Sequence, residues 1–165
     1  TLVHKANVLP LTCGLFRDSC REVLEAEGIG AQLDERLVDV AALQLVQSPE
    51  AFDLIVTSNL FGDILSDLAC HWSGGLGLAP SLNWGSGLAL AEPVHGSAPD
   101  IVGSGRANPL AAILSAALLL RYQWHEGALA TRIEDAVQAF LAHEGHCDFG
   151  TETTRVVAQG VLALL

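Results

Sequence analysis

Apolar positions recur at helical spacing over residues 14–27, where Leu15, Phe16, Cys20, Val23 and Leu24 share one side and Gly28 closes the run. A strand is expected at 31–38. A second helical run over 40–46 follows Asp39 and is stopped by Ser48 and Pro49. Phe52 leads into a strand at 53–57 built on Leu54, Ile55 and Val56, and residues 61–72 read as a third helix. The chain then changes character. Gly74, Gly75, Gly77, Pro80, Gly85 and Gly87 form a glycine-rich passage unlike anything before it, and we place a domain crossing there, with residues 1–73 on one side and 74–165 on the other.

Beyond the crossing, 88–91 is short and apolar, and 92–108 reads as a long ordered loop with one helical turn. Pro109 then opens a helix reaching about Trp124. Further helices are expected at 128–143 and 151–164. Strands alternate with helices early and helices dominate late, so the class is α/β.

The chain has 165 residues, half of them apolar, with 8 basic and 19 acidic side chains and a formal charge of −11. Such a balance excludes a nucleic-acid ligand, whose phosphates need clustered Lys and Arg. The longest apolar run, 109–120, is shorter than the roughly 20 residues of a spanning helix, so no membrane association is expected. Residues 1–11 lack a secretory pattern, and Cys13, Cys20, Cys70 and Cys147 form no CxxC pair; a reducing cytoplasm is the expected location.

Asp63 and Asp67 lie four apart on the third predicted helix, so their carboxylates leave one face about one turn from each other. Two readings compete: a solvated acidic face, and an oxygen-donor site for Mg²⁺ or Mn²⁺, which would remove the like-charge repulsion. The neighbours Leu60, Phe61, Ile64, Leu65 and Leu68 leave little other polar surface on that helix. Asp39, where a strand meets a helix, is read as an N-cap or as a third carboxylate for the same cation. Lys5, beside His4 and Asn7, is read as an exposed strand end or as a proton-transfer lysine. The loop 92–108 combines turn formers with hydrogen-bonding side chains, as ordered structural loops and ligand-binding loops both do. In it, Asp100 has the chemistry to accept both hydroxyls of an adenosine ribose and to repel a 2′-phosphate. No Rossmann glycine fingerprint is present, since Gly75-Leu76-Gly77 and Gly103-Ser104-Gly105 both lack the third glycine. His143, His146 and Cys147 are spaced either as zinc ligands or as a polar helix end and turn.

In this order the motifs resemble the β-decarboxylating dehydrogenases, that is the isocitrate, 3-isopropylmalate, homoisocitrate and tartrate dehydrogenases. The resemblance rests on Lys5-Ala6-Asn7-Val8-Leu9, Leu37-Val38-Asp39, Phe52-Asp53-Leu54-Ile55-Val56-Thr57 and Asn59-Leu60-Phe61-Gly62-Asp63-Ile64-Leu65-Ser66-Asp67. Gly74-Gly75-Leu76-Gly77-Leu78-Ala79-Pro80 and Glu92-Pro93-Val94-His95-Gly96-Ser97-Ala98-Pro99-Asp100 complete it. It implies the carboxy-terminal half of an isopropylmalate-dehydrogenase-like three-layer fold: part of a small, dimer-forming domain carrying metal ligands, then part of a large domain with an NAD-binding loop. It further implies that Asp63 and Asp67 ligate Mg²⁺ or Mn²⁺ from one subunit, while Asp39 completes the metal set and Lys5 serves proton transfer from its neighbour. Glu92, His95, Gly96, Ser97, Ala98, Asp100, Ile101 and Asn108 match the cofactor loop, Asn7 would lie near the nicotinamide, and Asp100-Ile101 resembles the NAD-using branches.

The reaction so implied is NAD-linked oxidation and decarboxylation of a small hydroxy di- or tricarboxylic acid. Homoisocitrate- or isocitrate-type acids rank first and 3-isopropylmalate next, and the enzyme would be a homodimer or pair with an upstream half. The family's substrate-clamping arginines and catalytic tyrosine normally lie upstream of the lysine segment, and Arg17, Arg21, Arg36, Arg106, Arg121, Arg132, Arg155 and Tyr122 do not replace them. The chain alone is therefore expected to be inactive. Val40, Cys70-His71-Trp72 and His146-Cys147-Asp148-Phe149-Gly150 also depart from the family pattern. A degenerate or truncated homologue serving as a non-catalytic interaction or regulatory subunit is the alternative.

Overall fold

Leu2, Val3 and His4 are all buried and form β1 (Leu2–His4), which pairs in parallel with β2 (Glu35–Leu37) on one side and β3 (Val56–Thr57) on the other. A strand flanked on both sides and covered on both faces has no solvent face to alternate towards, hence the unbroken buried run. The computed structural model describes residues 1–28, 30, 32–144 and 153–165. They form two units, Thr1–His71 and Trp72–Leu165.

In the first unit the order is β1, α1 (Thr12–Ala26), β2, α2 (Val38–Gln47), β3 and α3 (Asn59–Ala69), with the sheet ordered β2-β1-β3. The register sets Leu2 against Glu35 and His4 against Leu37 on one side, and Val3 against Thr57 on the other. Val3, Ala41, Leu45 and Leu65 make the core, with Val38, Phe52, Ile55 and Leu68 against them.

The second unit carries an antiparallel hairpin, β4 (Pro80–Trp84) and β5 (Ala89–Pro93), and then α4 (Leu110–Leu118), α5 (Gly127–Glu144) and α6 (Thr153–Leu162). Its core gathers Leu110 from α4, Ala136, Val137 and Phe140 from α5, and Val157 and Val161 from α6. Gly160 is required there, because a Cβ would lie 2.4 Å from the Phe140 ring. Leu110 is fully buried at the centre. Leu110→Ala is expected to destabilise this unit by about 2–5 kcal/mol through lost transfer energy and a residual cavity. A shift of the denaturant midpoint with unchanged slope is the check.

Several expected boundaries move. The strand at 31–38 contracts to β2, although Ala31 lies outside the described residues, and the strand at 53–57 contracts to Val56–Thr57. Parallel pairing to the three-residue β1 limits both. The third helix starts two residues earlier than expected, with Ser58 as N-cap, and ends at Ala69 rather than Trp72. Pro109 precedes α4 instead of opening it. That helix passes at Leu119–Gln123 into a wide π turn, closed by the Trp124 N–H on the Leu119 carbonyl, so it stops short of the expected end as a regular helix. Residue 151, expected to start the last helix, lies outside the described residues. Asp39 is no N-cap: Leu37 holds that position with extended backbone, and Asp39 sits in the first turn of α2. Among the described residues no helix is long and apolar enough to cross a membrane.

Candidate functional site

The three parallel strands of the first unit end side by side, and the residues that follow them emerge at one edge. Lys5 follows β1, Asp39 lies in the first turn of the helix after β2, and α3 starts two residues past β3. Carboxyl ends of parallel strands are the usual location of sites in α/β sheets. Lys5 Nζ donates to Asp39 Oδ1 across 34 residues of sequence, with the lysine side chain 22% exposed and the aspartate 62%. The ammonium first, and then backbone N–H groups of Asp39 and Val40, hold the Asp39 carboxyl below the usual carboxylate range. Beyond Lys5 the chain turns at once, with the Val8 and Leu9 N–H groups donating to the Lys5 carbonyl at 3.0 and 2.8 Å, and Asn7 is exposed in that turn.

On α3, Leu65 faces the core while Leu60, Asp63, Ile64 and Asp67 share the exposed face, Leu60 at 67% and Ile64 at 50%. The two carboxylates are thus set in an apolar surface. No group of three His, Cys, Asp or Glu side chains gathers for a metal among the described residues, so one chain does not bring Asp39 to Asp63 and Asp67. Burial, and then the charge of Asp67, pushes the nearby Cys70 thiol up, which disfavours a nucleophilic thiolate.

The second unit contains a cleft of about 750 Å³. His95, Gly96, Ser97, Ala98, Ile101 and Asn108 line it; Glu92, on β5, and Asp100 do not, although Asp100 lies in the 3₁₀ turn Pro99–Ile101 beside it. The loop is shaped by left-handed backbone at Ala98 (φ 43°), a strained geometry for a residue with a side chain, and at Gly103 and Gly105. His95 Nδ1 lies 2.9 Å from the Gly96 carbonyl, which fits Nδ1–H donating and leaves Nε2 as an acceptor. Asn108 Oδ1 accepts the Leu110 N–H at 3.0 Å, capping the start of α4.

Gly77, from the glycine-rich passage, and Thr154 also line the cleft, and no sequence pattern singled out Thr154. A Cβ on Gly77 would sit 3.3 Å from Asn108, so glycine permits that approach. Thr154 holds the loop from α6, its N–H donating to the Gly105 carbonyl at 3.0 Å and its hydroxyl to the Ala107 carbonyl. Both contacts are long-range, beyond what local spacing reveals. Of the zinc spacing, His146 and Cys147 lie outside the described residues.

Known proteins resemble the chain along most of its length. The isocitrate/isopropylmalate dehydrogenase family profile matches residues 1–162. An isocitrate/homoisocitrate dehydrogenase of Thermus thermophilus is 57% identical over 140 residues, covering 85% of this chain and 41% of the relative. A 3-isopropylmalate dehydrogenase of Archaeoglobus fulgidus is 52% identical over 140 residues, covering 84% and 42%. The crystal structure of isocitrate dehydrogenase from Methylococcus capsulatus superposes with a TM-score of 0.87 at 43% identity, covering 99% of this chain and 49% of that one. The chain thus spans less than half the length of these relatives. It has the mixed helix and sheet architecture of part of their fold, and it belongs to the isocitrate/isopropylmalate dehydrogenase family.

Proposed function

We propose that this chain supplies the metal and cofactor groups of an NAD- and divalent-metal-dependent enzyme that oxidises and decarboxylates a 2-hydroxy acid carrying a β-carboxylate. The observation that carries this reading is the Lys5–Asp39 pair at the ends of two adjacent parallel strands, with Asp63 and Asp67 on the helix following the third strand of that sheet.

The donor set suits Mg²⁺ or Mn²⁺: exposed carboxylate oxygens, with no soft ligand among them. Asp63 and Asp67 would hold the cation from one subunit and Asp39 from a second. The separation of these groups within one chain and the exposed Leu60 and Ile64 beside the acids both favour a dimer. When bound, the cation polarises the oxygen on the carbon being oxidised and NAD takes up the hydride. Lys5 Nζ moves protons to and from the substrate, and Asp39 holds it in place. His95, Gly96, Ser97, Ala98, Ile101 and Asn108 cradle the cofactor. Glu92 enters the site from β5, just before that loop, Asn7 serves the nicotinamide end, and Asp100 accepts the ribose hydroxyls, which favours NAD over NADP.

The carboxylate-clamping arginines and the tyrosine come from outside this chain, joined to it or paired with it, so the isolated chain is inactive. Isocitrate- and homoisocitrate-type acids are the preferred substrates and 3-isopropylmalate the next, an order supported by the name and 57% identity of the Thermus relative. The test is NADH formation by the complete enzyme on those acids. Turnover of the first two exceeding that of the third is expected, and turnover of none of them would overturn the reading. Asp100→Ala is expected to raise KM for NAD about tenfold or more, the cost of losing charge-assisted hydrogen bonds worth roughly 1.5–3 kcal/mol. An unchanged KM would remove Asp100 from the cofactor site.

A further inference from the structure

We propose that His4 is a positioning residue for Lys5, its ring fixing the turn that aims the ammonium; this rests on the proton-transfer reading of Lys5. His4 ends β1 and is only 6% exposed. An imidazole in such a place costs free energy unless its nitrogens are satisfied, and here each faces a partner. Nδ1 accepts the N–H of Ala6 at 3.1 Å, a bond that closes around Lys5 and restricts its backbone. A neutral ring accepting at Nδ1 carries its proton on Nε2, and Nε2 faces Glu35 Oε2 at 3.5 Å. The other Glu35 oxygen accepts from Arg21 Nε of α1 at 2.6 Å. The ring therefore ties β1, the start of β2 and α1 together, at the residue directly before the lysine.

The Ala6 bond is the part that matters for chemistry. The Lys5 carbonyl accepts from Val8 and Leu9, and the Lys5 side chain reaches Asp39. Freeing the Ala6 N–H loosens the peptide that orients both. Misplacing a reacting group by about 1 Å costs on the order of a hundredfold in rate, whereas the Glu35 contact, at the limit of hydrogen bonding, acts on stability alone.

Two replacements separate these roles. Asparagine places an acceptor where Nδ1 stands but falls short of Glu35, while glutamine reaches Glu35 but offers no acceptor to Ala6. In the complete enzyme, His4→Asn is expected to keep kcat within about threefold and His4→Gln to lower it roughly 30- to 100-fold, with KM for acid and NAD little changed. In a Lys5→Met background His4→Gln should add no further loss. Equal damage by both replacements, or a full His4→Gln loss on top of Lys5→Met, would overturn the proposal. Hydrogen exchange of the Ala6 amide in this chain reads the tether without activity: slow in the natural chain and in His4→Asn, fast in His4→Gln. A fast Ala6 amide in the natural chain would sink the proposal whatever Lys5 does. Full activity of Lys5→Met with that exchange pattern intact would instead condemn the proton-transfer reading.

Discussion

Asp63→Asn in the complete enzyme is expected to lower kcat/KM by about three orders of magnitude while leaving the fold intact. Asparagine keeps the size and one oxygen of the side chain but removes the negative charge that would face the proposed cation. Lewis-acid stabilisation is worth several kcal/mol and each 1.36 kcal/mol is tenfold in rate, so a loss of about 1000-fold follows. The structure adds a second expectation of opposite sign. Asp63 and Asp67 are exposed and one turn apart on α3, so without metal they repel, and the neutral variant should unfold slightly later than the natural chain in metal-free buffer. Added Mn²⁺ should raise the melting temperature of the natural protein and do less for the variant. Retained metal-dependent turnover in Asp63→Asn would remove Asp63 from the metal site.

Lys5→Met carries the next largest effect. It removes the ammonium but keeps an apolar stem, and the loss of a positioned acid–base group predicts a fall in kcat of about 10²–10⁴-fold. Because the Lys5 ammonium is the first cause of the lowered Asp39 carboxyl, the same variant should bring that carboxyl back towards the ordinary range. The sign follows from linkage. A carboxyl titrating lower when folded contributes stability above the ordinary carboxylate range, and that contribution disappears as pH falls through the lowered value. With Asp39 62% exposed the contribution is small, and the Lys5→Met variant lacks it. Carboxyl carbon shifts followed by NMR report it directly; an Asp39 titration unmoved by the substitution would contradict the pairing.

The helices of this chain are readable from its apolar periodicity. The expected run at 14–27 matches α1 to within two residues, and that at 128–143 matches α5 to within one. Both carry one apolar side, so a local pattern suffices. β4 is not visible in the same way, because it lies inside the glycine-rich passage that begins at Gly74 and includes Pro80, and what makes this segment a strand is its register with β5, Ser81 against Glu92 and Leu82 against Ala91. Asp39 illustrates a different limit. A carboxylate at a strand–helix junction reads as a cap, but the helix begins at Val38 with no side-chain cap, and the aspartate turns to Lys5.

The same division runs through the candidate site. Asp63 and Asp67 are readable as a pair because helical spacing alone puts them on one face. Lys5 and Asp39 meet only through parallel pairing of β1 with β2, which no spacing encodes. The loop residues from His95 to Asn108 are contiguous enough to be singled out together. Thr154, by contrast, arrives from a helix 47 residues past Ala107.

The most direct measurement is a Mn²⁺ titration of the complete enzyme with NAD and an isocitrate-type acid, following NADH and CO₂ in the same reaction. No turnover without the cation, saturable activation with it, and one CO₂ released for each NADH formed are the expected results. NADH without CO₂, or turnover undiminished in metal-free buffer, would contradict metal-dependent oxidative decarboxylation.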